Sequence, residues 1–182
     1  MEIKLRELLK VVRHKRYTKE MKNKVLVDKS DVVFLAPYYS KEPEYVDYEK
    51  VKDDVNDLEV LYIPESGIPK VKYYKGKFIG GNVFILTVDD KKLYIKWLCL
   101  YIEYLFEKKY HLFFSYGTPA KFYINKFLDY EIVVPPLKLQ KVIAEGLLGM
   151  KHKQDFYEEL IKKYENIYDY VLNELLTFDK GE

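Results

Sequence analysis

The sequence has few of the residues from which catalytic and metal sites are usually built. Its 182 residues include one cysteine, Cys99, which excludes an intramolecular disulfide and a multi-cysteine zinc site. The histidines, His14, His111 and His152, are far apart in the sequence, so no two of them stand at the spacing of a helical metal site. A glycine-rich phosphate loop is also missing. These scarcities favour a binding protein over an enzyme, and we expect no cofactor and no metal.

The sequence also lacks a long uninterrupted hydrophobic run. The most apolar segment, LYIKWLCLYIEYLF (residues 93–106), is broken by Lys96 and Glu103 and is shorter than the roughly 18 to 20 residues that span a bilayer. We expect it to be a buried helix. Because the N-terminal stretch MEIKLRELLKVVRHK has no signal-peptide hydrophobic region, we expect a cytoplasmic protein with no membrane partner.

The composition is that of a globular protein, with 48% hydrophobic and 33% charged residues. The net charge of +2 does not by itself demand a polyanionic partner. The charges are uneven, however, because residues 1–29 hold ten basic and four acidic side chains, whereas residues 41–59 hold three and eight. A basic face on one ordinary domain is therefore expected.

Hydrophobic periodicity predicts a β-rich first part of the chain. It indicates an amphipathic helix over residues 3–12 and then strands over residues 25–27, 31–36, 58–63, 70–74 and 82–88. Turns are predicted at PESGIP, at YKGK and at the Gly80 and Gly81 pair, and the acidic segment 40–57 is predicted to be a solvated loop or a short surface helix. A helix over 90–108, capped by Asp89 or Asp90, is followed by a short strand, a Gly-Thr-Pro turn, a helical turn over 124–128 and a last strand over 131–134.

Pro135 and Pro136 mark a junction between that last strand and a long helix. Proline lacks the N–H that a sheet needs, but its fixed φ suits the first turn of a helix. The helix is predicted to continue to about residue 176, with a seam of alternating four- and three-residue spacings. The seam positions are Ile143, Leu147, Met150, Gln154, Tyr157, Ile161, Tyr164, Tyr168, Val171 and Leu175.

A seam sustained over more than four heptads is typical of a coiled coil. The predicted helix would be about 60 Å long, so we expect it to extend beyond the domain and to pair with a helix of another molecule. Gln154 would then be a polar position that sets the register. The alternative is a helix that folds back on itself at Gly146 or Gly149.

Two segments are candidate DNA-binding surfaces because they combine basic, aromatic and hydroxyl or amide side chains near turns. KVKYYKGKF (residues 70–78) supplies Lys70, Lys72, Tyr74, Lys75 and Lys77. SYGTPAKFYINK (residues 115–126) supplies Ser115, Thr118, Lys121, Asn125 and Lys126. Lysine-flanked turns are common on protein surfaces, so neither segment is specific evidence by itself.

The sequence YGTPAKFYINKFLDYEIVVPPLKLQKVIAEGL resembles the specificity subunits of type I restriction-modification systems. The shared pattern is a turn with Gly117, a strand ending in Pro135, Pro136 and Leu137, and then Gln140 opening the long helix. The earlier segments KGKFIGGNVFILTVDDKKLYIKWLCLYIEYL and IKLRELLKVV are similar to other parts of that family. Leu139 stands where the family usually has Glu, so this sequence is a divergent member.

The resemblance implies an α+β fold: a compact mixed β-rich target-recognition domain (residues 1–134) followed by a long coiled-coil dimerisation helix (residues 135–182). It implies half of a typical specificity subunit, so that two copies would form a homodimer on a bipartite, inverted-repeat site in double-stranded DNA. Methylation and cleavage would belong to partner methyltransferase and restriction subunits. Two alternatives remain open: a protein-interaction module or decoy that does not read DNA, and a small enzyme with an unrecognised site.

Overall fold

The structure is a computed structural model that describes residues 2–37, 42–88, 91 and 93–170, with the backbone alone for 171–178. The chain divides into two compact units, Met1–Lys141 and Val142–Glu182. The first unit is a mixed α+β domain built on one large sheet, and the second is helical. The domain boundaries given above, at residues 134 and 135, remain a prediction.

The main sheet has seven strands in the order β2-β8-β6-β7-β4-β5-β3. All neighbours are antiparallel except β4 and β7, which are parallel. The strands are β2 (Leu9–Val12), β3 (Leu26–Val27), β4 (Val32–Leu35), β5 (Glu44–Val46), β6 (Asn56–Pro64), β7 (Lys72–Gly80) and β8 (Val83–Val88). Strands predicted from apolar runs are thus confirmed at β3, β4, β6 and β8.

A second, two-stranded sheet joins the two ends of the first unit. β1 (Glu2–Lys4) pairs antiparallel with β9 (Glu131–Val133), with Ile3 opposite Ile132. The predicted helix over residues 3–12 is therefore wrong: those residues form β1, a 3-10 turn (Leu5–Glu7) and β2. Val11 and Val12 instead pair with Leu86 and Ile85 of β8. Pairing with distant strands has outweighed the local helical spacing, as it often does for β-branched residues.

Two other local predictions differ from the structure in the middle of the chain. The YKGK turn is wrong, because β7 continues through it as far as Gly80, with Gly76 opposite Leu58 of β6. Gly76 has φ +132°, a conformation that glycine adopts readily, and here it occurs within a strand rather than at a turn. The acidic segment contains a short helix, α2 (Tyr48–Val51), as one of its two predicted forms, but it also contains β5 and contributes the buried Val46 and Val51.

In the described part of the chain, five α-helices accompany the sheets: α1 (Lys19–Asn23), α2, α3 (Ile95–Lys109), α4 (Ile124–Leu128) and α5 (Leu137–Phe178). α3 begins five residues later than predicted, and the proposed caps Asp89 and Asp90 lie outside the described residues. The predicted short strand before the Gly-Thr-Pro turn is reduced to a bridge between Phe114 and Phe122. None of the helices in the described part of the chain is long and apolar enough to cross a membrane.

Three regions of the core of the first unit stand out among the described residues. One packs β4, β5 and β7 against α2 through Tyr17, Val32, Phe34, Val46, Val51 and Ile79, with Met21 of α1 at its side. A second lies along the middle of the sheet, at Leu35, Val60, Phe78, Val83 and Ile85. The third is a phenylalanine cluster in which the ring of Phe106 of α3 lies 5.2 to 6.1 Å from the rings of Phe113, Phe114, Phe122 and Phe127.

The long helix predicted to follow the proline pair is confirmed as α5. It is continuous through Gly146 and Gly149, so the fold-back alternative is wrong. Its first turn is fixed by Gln140, whose side chain is fully buried. The Gln140 Oε1 accepts a hydrogen bond from the backbone N–H of Tyr94 at 2.8 Å, and its Nε2 donates to the carbonyl of Pro135 at 2.8 Å. Gln140 thus joins the beginning of α5 to the beginning of α3.

Candidate nucleic-acid interface

Two loops that are distant in sequence are joined by backbone hydrogen bonds. The first, residues 65–71, connects β6 to β7, and the second, residues 115–121, follows α3. The Gly67 N–H donates to the Ala120 carbonyl at 2.8 Å, the Phe122 N–H donates to the Glu65 carbonyl at 2.9 Å, and Ser66 is bridged to Lys121. We call residues 65–71 and 115–121 together the double loop.

The second loop is closed at its base by Ser115 and Lys121. The Ser115 N–H donates to the Lys121 carbonyl at 2.9 Å, and the Lys121 N–H donates to the Ser115 hydroxyl at 2.8 Å. Each loop turns at a glycine of positive φ, Gly67 at +102° and Gly117 at +116°, with no heavy atom within 4 Å of the position a Cβ would take. Backbone conformation rather than lack of space therefore requires glycine there, and the loops present an open surface.

The double loop brings together residues from both predicted DNA-binding segments. Lys70 belongs to its first loop, and Thr118 and Lys121 belong to its second; all three are exposed. Asn125 and Lys126 follow shortly after on α4 and are also exposed. Ser115 is less available, because its hydroxyl accepts the hydrogen bond that closes the loop.

Lys77 and Lys75 lie further along the sheet and in different surroundings. Lys77 follows Lys72 by five positions along β7, which corresponds to about 17 Å. The Lys77 Nζ lies 2.6 Å from the Asp31 Oδ2, and this hydrogen bond raises the pKa of Lys77 and lowers that of Asp31. Lys75 is exposed and stands opposite Glu59 of β6. An acidic neighbour therefore offsets part of the positive charge of this half of the first segment.

Lys72 and Tyr74 line a cavity of about 140 Å³ rather than an outer surface. The cavity is also lined by Tyr62, Glu42 and Glu44. Burial, with a smaller contribution from Lys70, lowers the pKa of Lys72, and its Nζ lies 5.7 Å from the centre of the Tyr62 ring. Burial also raises the pKa of Tyr62 to about 12. Lys72 is thus partly withdrawn from solvent, which makes it less suited to phosphate contact than Lys70 or Lys121.

Arg16 is a basic residue at the double loop that was not among the predicted contacts. Its guanidinium lies 2.6 Å from the Glu65 Oε1 and 6.0 Å from the centre of the Phe84 ring. The Phe84 ring in turn lies 5.7 Å from that of Phe122. The basic run RHKR at residues 13–16 was visible in the sequence, but only the fold places it beside residues 65–71.

The second unit presents most of the predicted seam to solvent. Gln154 of the seam donates from Nε2 to the Glu158 Oε1 at 3.0 Å within the helix. The side chains of Val171 and Leu175 lie outside the described residues. The other seam residues are exposed by 36% to 69%: Ile143, Leu147, Met150, Tyr157, Ile161, Tyr164 and Tyr168.

A second exposed apolar row on α5 was missed. Phe156, Ile167 and Tyr170 are 58% to 66% exposed and stand one residue before the seam positions Tyr157, Tyr168 and Val171. Their heptad spacing was present in the sequence, parallel to the seam. The apolar face of this helix is therefore wider than a single seam, at least as far as residue 170.

The described residues hold no group of three or more histidine, cysteine, aspartate or glutamate side chains that could bind a metal ion. Cys99 is buried within α3. The first unit is a β-rich domain with exposed polar loops, and the second is a long helix with an exposed apolar face. Both features are typical of binding proteins.

The comparisons with known proteins agree with that class. The sequence profile for "Type I restriction modification DNA specificity domain" matches residues 1–165, and the chain belongs to this family. The resemblance stated from the sequence is thereby confirmed. No curated protein matches the chain at a significant level.

Solved structures of specificity subunits share the fold. The type I restriction-modification system S subunit from M. genitalium superposes with a TM-score of 0.65 at 15% identity, over 89% of this chain and 41% of that one. The HsdS subunit from Thermoanaerobacter tengcongensis superposes with a TM-score of 0.57 at 13% identity, over 84% of this chain and 37% of that one. The chain thus spans about two fifths of each. At these identities the likeness shows the fold, and the predicted α+β class with a long C-terminal helix is confirmed.

Proposed function

We propose that this chain is a DNA-recognition subunit of a type I-like restriction-modification system. The observation that carries the proposal is the double loop, which joins Lys70 and Lys121 from two separate segments in a member of the DNA specificity family. Loops held by a folded scaffold are where binding residues usually lie. Double-stranded DNA is the proposed ligand.

Each group on and near the double loop has a proposed role. The ammonium groups of Lys70, Lys121 and Lys126 neutralise phosphates, which gives affinity and salt dependence without sequence preference. The hydroxyl of Thr118 and the amide of Asn125 are of the kind that hydrogen-bond to base edges. With a net charge of +2, the affinity of one domain for DNA is modest, so specificity has to come from more than one domain.

The exposed seam of α5 supports a homodimer. A row of apolar side chains at heptad spacing is stabilised when a second helix covers it, and a second copy of this chain supplies a matching row. Two copies would present two recognition domains to a bipartite, inverted-repeat site. Methyltransferase and restriction subunits are the proposed further partners. The subunit itself is proposed to be non-catalytic, to need no cofactor and to act in the cytoplasm.

Selection from a random DNA pool tests this proposal. The full chain is incubated with 40-base-pair duplexes of random sequence at several stated salt concentrations, with and without candidate methyltransferase subunits. We expect enrichment of an inverted repeat with fixed spacing. Binding without an inverted repeat would contradict the dimeric arrangement. Partner subunits that co-purify with a chain that enriches no sequence would instead support an interaction module that does not read DNA.

A charge-matched pair of variants locates the contact. Replacing Lys70, Lys121 and Lys126 by alanine is expected to weaken binding and to reduce the slope of log affinity against log salt by about three for each copy of the chain bound, because each phosphate contact contributes about 0.9. Replacing the exposed Lys19, Lys24 and Lys29 by alanine removes the same charge around α1 and β3 and should change the slope little. Equal effects of both variants would show a diffuse charge effect with no local interface.

A further inference from the structure

The double loop carries the two most exposed large apolar side chains of the described part of residues 2–141. Tyr116 is 87% exposed and Ile68 is 69% exposed, whereas the next are Val133 at 58% and Tyr104 at 55%. Tyr116 lies in the closed loop 115–121, and Ile68 lies in the loop 65–71 that is bonded to it. Exposed apolar residues that occur singly are normal on a protein surface. Here, however, the two most exposed of these side chains lie on two loops that are hydrogen-bonded to each other.

The backbone around these two side chains is well suited to holding them outward. Each stands next to a glycine of positive φ, Ile68 after Gly67 and Tyr116 before Gly117, and space is open beside both glycines. The hydrogen bonds that join the two loops, Gly67 to Ala120 and Phe122 to Glu65, and those that close the second loop, between Ser115 and Lys121, involve neither apolar side chain. Folding therefore gains little from the Tyr116 ring or the Ile68 side chain, and their placement calls for another explanation.

We propose that Tyr116 and Ile68 form an apolar tip that contacts thymine methyl groups in the major groove of the DNA. The proposal rests on the DNA-recognition function proposed above and adds specificity residues to it. The thymine methyl group is the apolar feature that base pairs present in the major groove, and apolar side chains are its usual contacts. Exposed Lys70 and Lys121 on the same two loops are placed to bind phosphates while the tip meets the bases.

The tip differs in kind from the lysines, so the two can be separated experimentally. Loss of a lysine weakens binding to all sequences, whereas loss of an apolar base contact changes which base is preferred. Tyr116→Ala and Ile68→Ala should therefore leave the salt slope unchanged and relax the preference for thymine at one or two positions per half-site. Tyr116→Phe should behave as the wild type, because the ring and not the hydroxyl makes the contact.

The test uses the full chain and the random duplex pool, followed by the selected duplex with single thymines replaced by uracil. We expect the wild type to lose about threefold to tenfold in affinity when the contacted thymine lacks its methyl group, and Tyr116→Ala to bind both duplexes equally. Tyr104→Ala, on the exposed side of α3, is the matched control and should select the wild-type sequence. Unchanged Trp97 fluorescence and thermal unfolding would show that the variants fold.

The outcomes distinguish this inference from the function on which it rests. If the wild type enriches no sequence, the DNA-recognition proposal fails and the tip proposal fails with it. If the wild type enriches a sequence but Tyr116→Ala and Ile68→Ala select the same one with equal affinity, only the tip proposal is overturned. A selected site that contains no thymine, or one that tolerates uracil at every position, overturns it as well.

Discussion

Two phenylalanines illustrate the difference between the two units of this protein. Phe106 of α3 is 4% exposed and is surrounded by four other phenylalanine rings, whereas Phe156 of α5 is 61% exposed. The same contrast holds for aliphatic residues, since Leu98 is fully buried and Ile161 is 56% exposed. The first unit buries most of its described large apolar side chains within one chain, with Tyr116 and Ile68 as the most exposed exceptions. The second unit does not, over residues 142–170.

The difference has an energetic meaning. Full burial of a large apolar side chain contributes about 1.5 to 3 kcal/mol relative to exposure. The first unit has gained this contribution by folding, so its stability should not depend on protein concentration. The helix can gain this burial energy only when another molecule covers its apolar face. The stability of the second unit should therefore depend on protein concentration.

The largest effect is expected on the helix. The triple substitution Tyr157→Asp, Ile161→Asp and Tyr164→Asp places three charges in the seam and removes three apolar side chains. If the seam holds a homodimer, it should lose at least about 4 kcal/mol of association free energy, which is about a thousandfold in the dissociation constant. Sedimentation of the wild type should give a dimer, and that of the variant a monomer with much weaker DNA retention.

A charge-matched control lies on the opposite side of the same helix. His152→Asp, Lys162→Ala and Asn166→Asp also add three units of negative charge, but at exposed polar positions outside the seam. This control should remain dimeric. A wild type that sediments as a monomer at micromolar concentration would contradict the proposed dimer, and therefore also the bipartite site.

The next effect separates the two phenylalanines. Phe106→Ala should lower the free energy of unfolding of the first unit by about 3 to 5 kcal/mol, because it leaves a cavity inside the phenylalanine cluster. Phe156→Ala should change that free energy by less than about 0.5 kcal/mol, since its side chain is exposed. Denaturant unfolding followed by the fluorescence of Trp97, the single tryptophan and a residue of α3, measures both.

The cluster also supports the double loop, because Phe114 and Phe122 flank residues 115–121. Phe106→Ala should therefore weaken DNA binding together with stability. If Phe106→Ala and Phe156→Ala changed the Trp97 transition equally, the contrast between a self-sufficient unit and a partner-dependent one would be lost.

The sequence was most informative where structure is local. α5 could be predicted as far as residue 176 because heptad spacing is a property of the helix alone, and it ends at Phe178. β4, β6 and β8 were also predictable, since runs such as LEVLYI and NVFILTV are rich in β-branched and aromatic residues. The family resemblance added the fold class, a β-rich recognition domain followed by a long helix.

Nonlocal pairing accounts for what could not be predicted. The spacing of Leu5, Leu8 and Val12 suits a helix, and only β8 and β9, more than 70 residues away, make strands of that segment. The double loop has the same origin, because nothing near Gly67 indicates that it bonds to Ala120. From the sequence, the candidate site was therefore predicted as two separate segments. Lys72 and Lys77 were predicted to contact DNA in the same way as Lys70. The partial burial of Lys72 and the ion pair of Lys77 with Asp31 depend on the tertiary fold.

The smallest of the three effects concerns Gln140, which the family resemblance singled out without giving a reason. Gln140→Leu removes the acceptor of the Tyr94 N–H and the donor to the Pro135 carbonyl. Leaving these two groups without those hydrogen bonds should cost about 2 to 3 kcal/mol of unfolding free energy, measured from the Trp97 unfolding transition.

Gln140→Glu separates hydrogen bonding from packing. Its buried carboxyl can donate to Pro135 only when protonated, and burial raises a carboxyl pKa. Gln140→Glu should therefore be most stable in acid, relative to the wild type at the same pH, and lose that stability as the pH rises through the raised pKa. If Gln140→Leu were as stable as the wild type, the two hydrogen bonds would not be what fixes the start of α5.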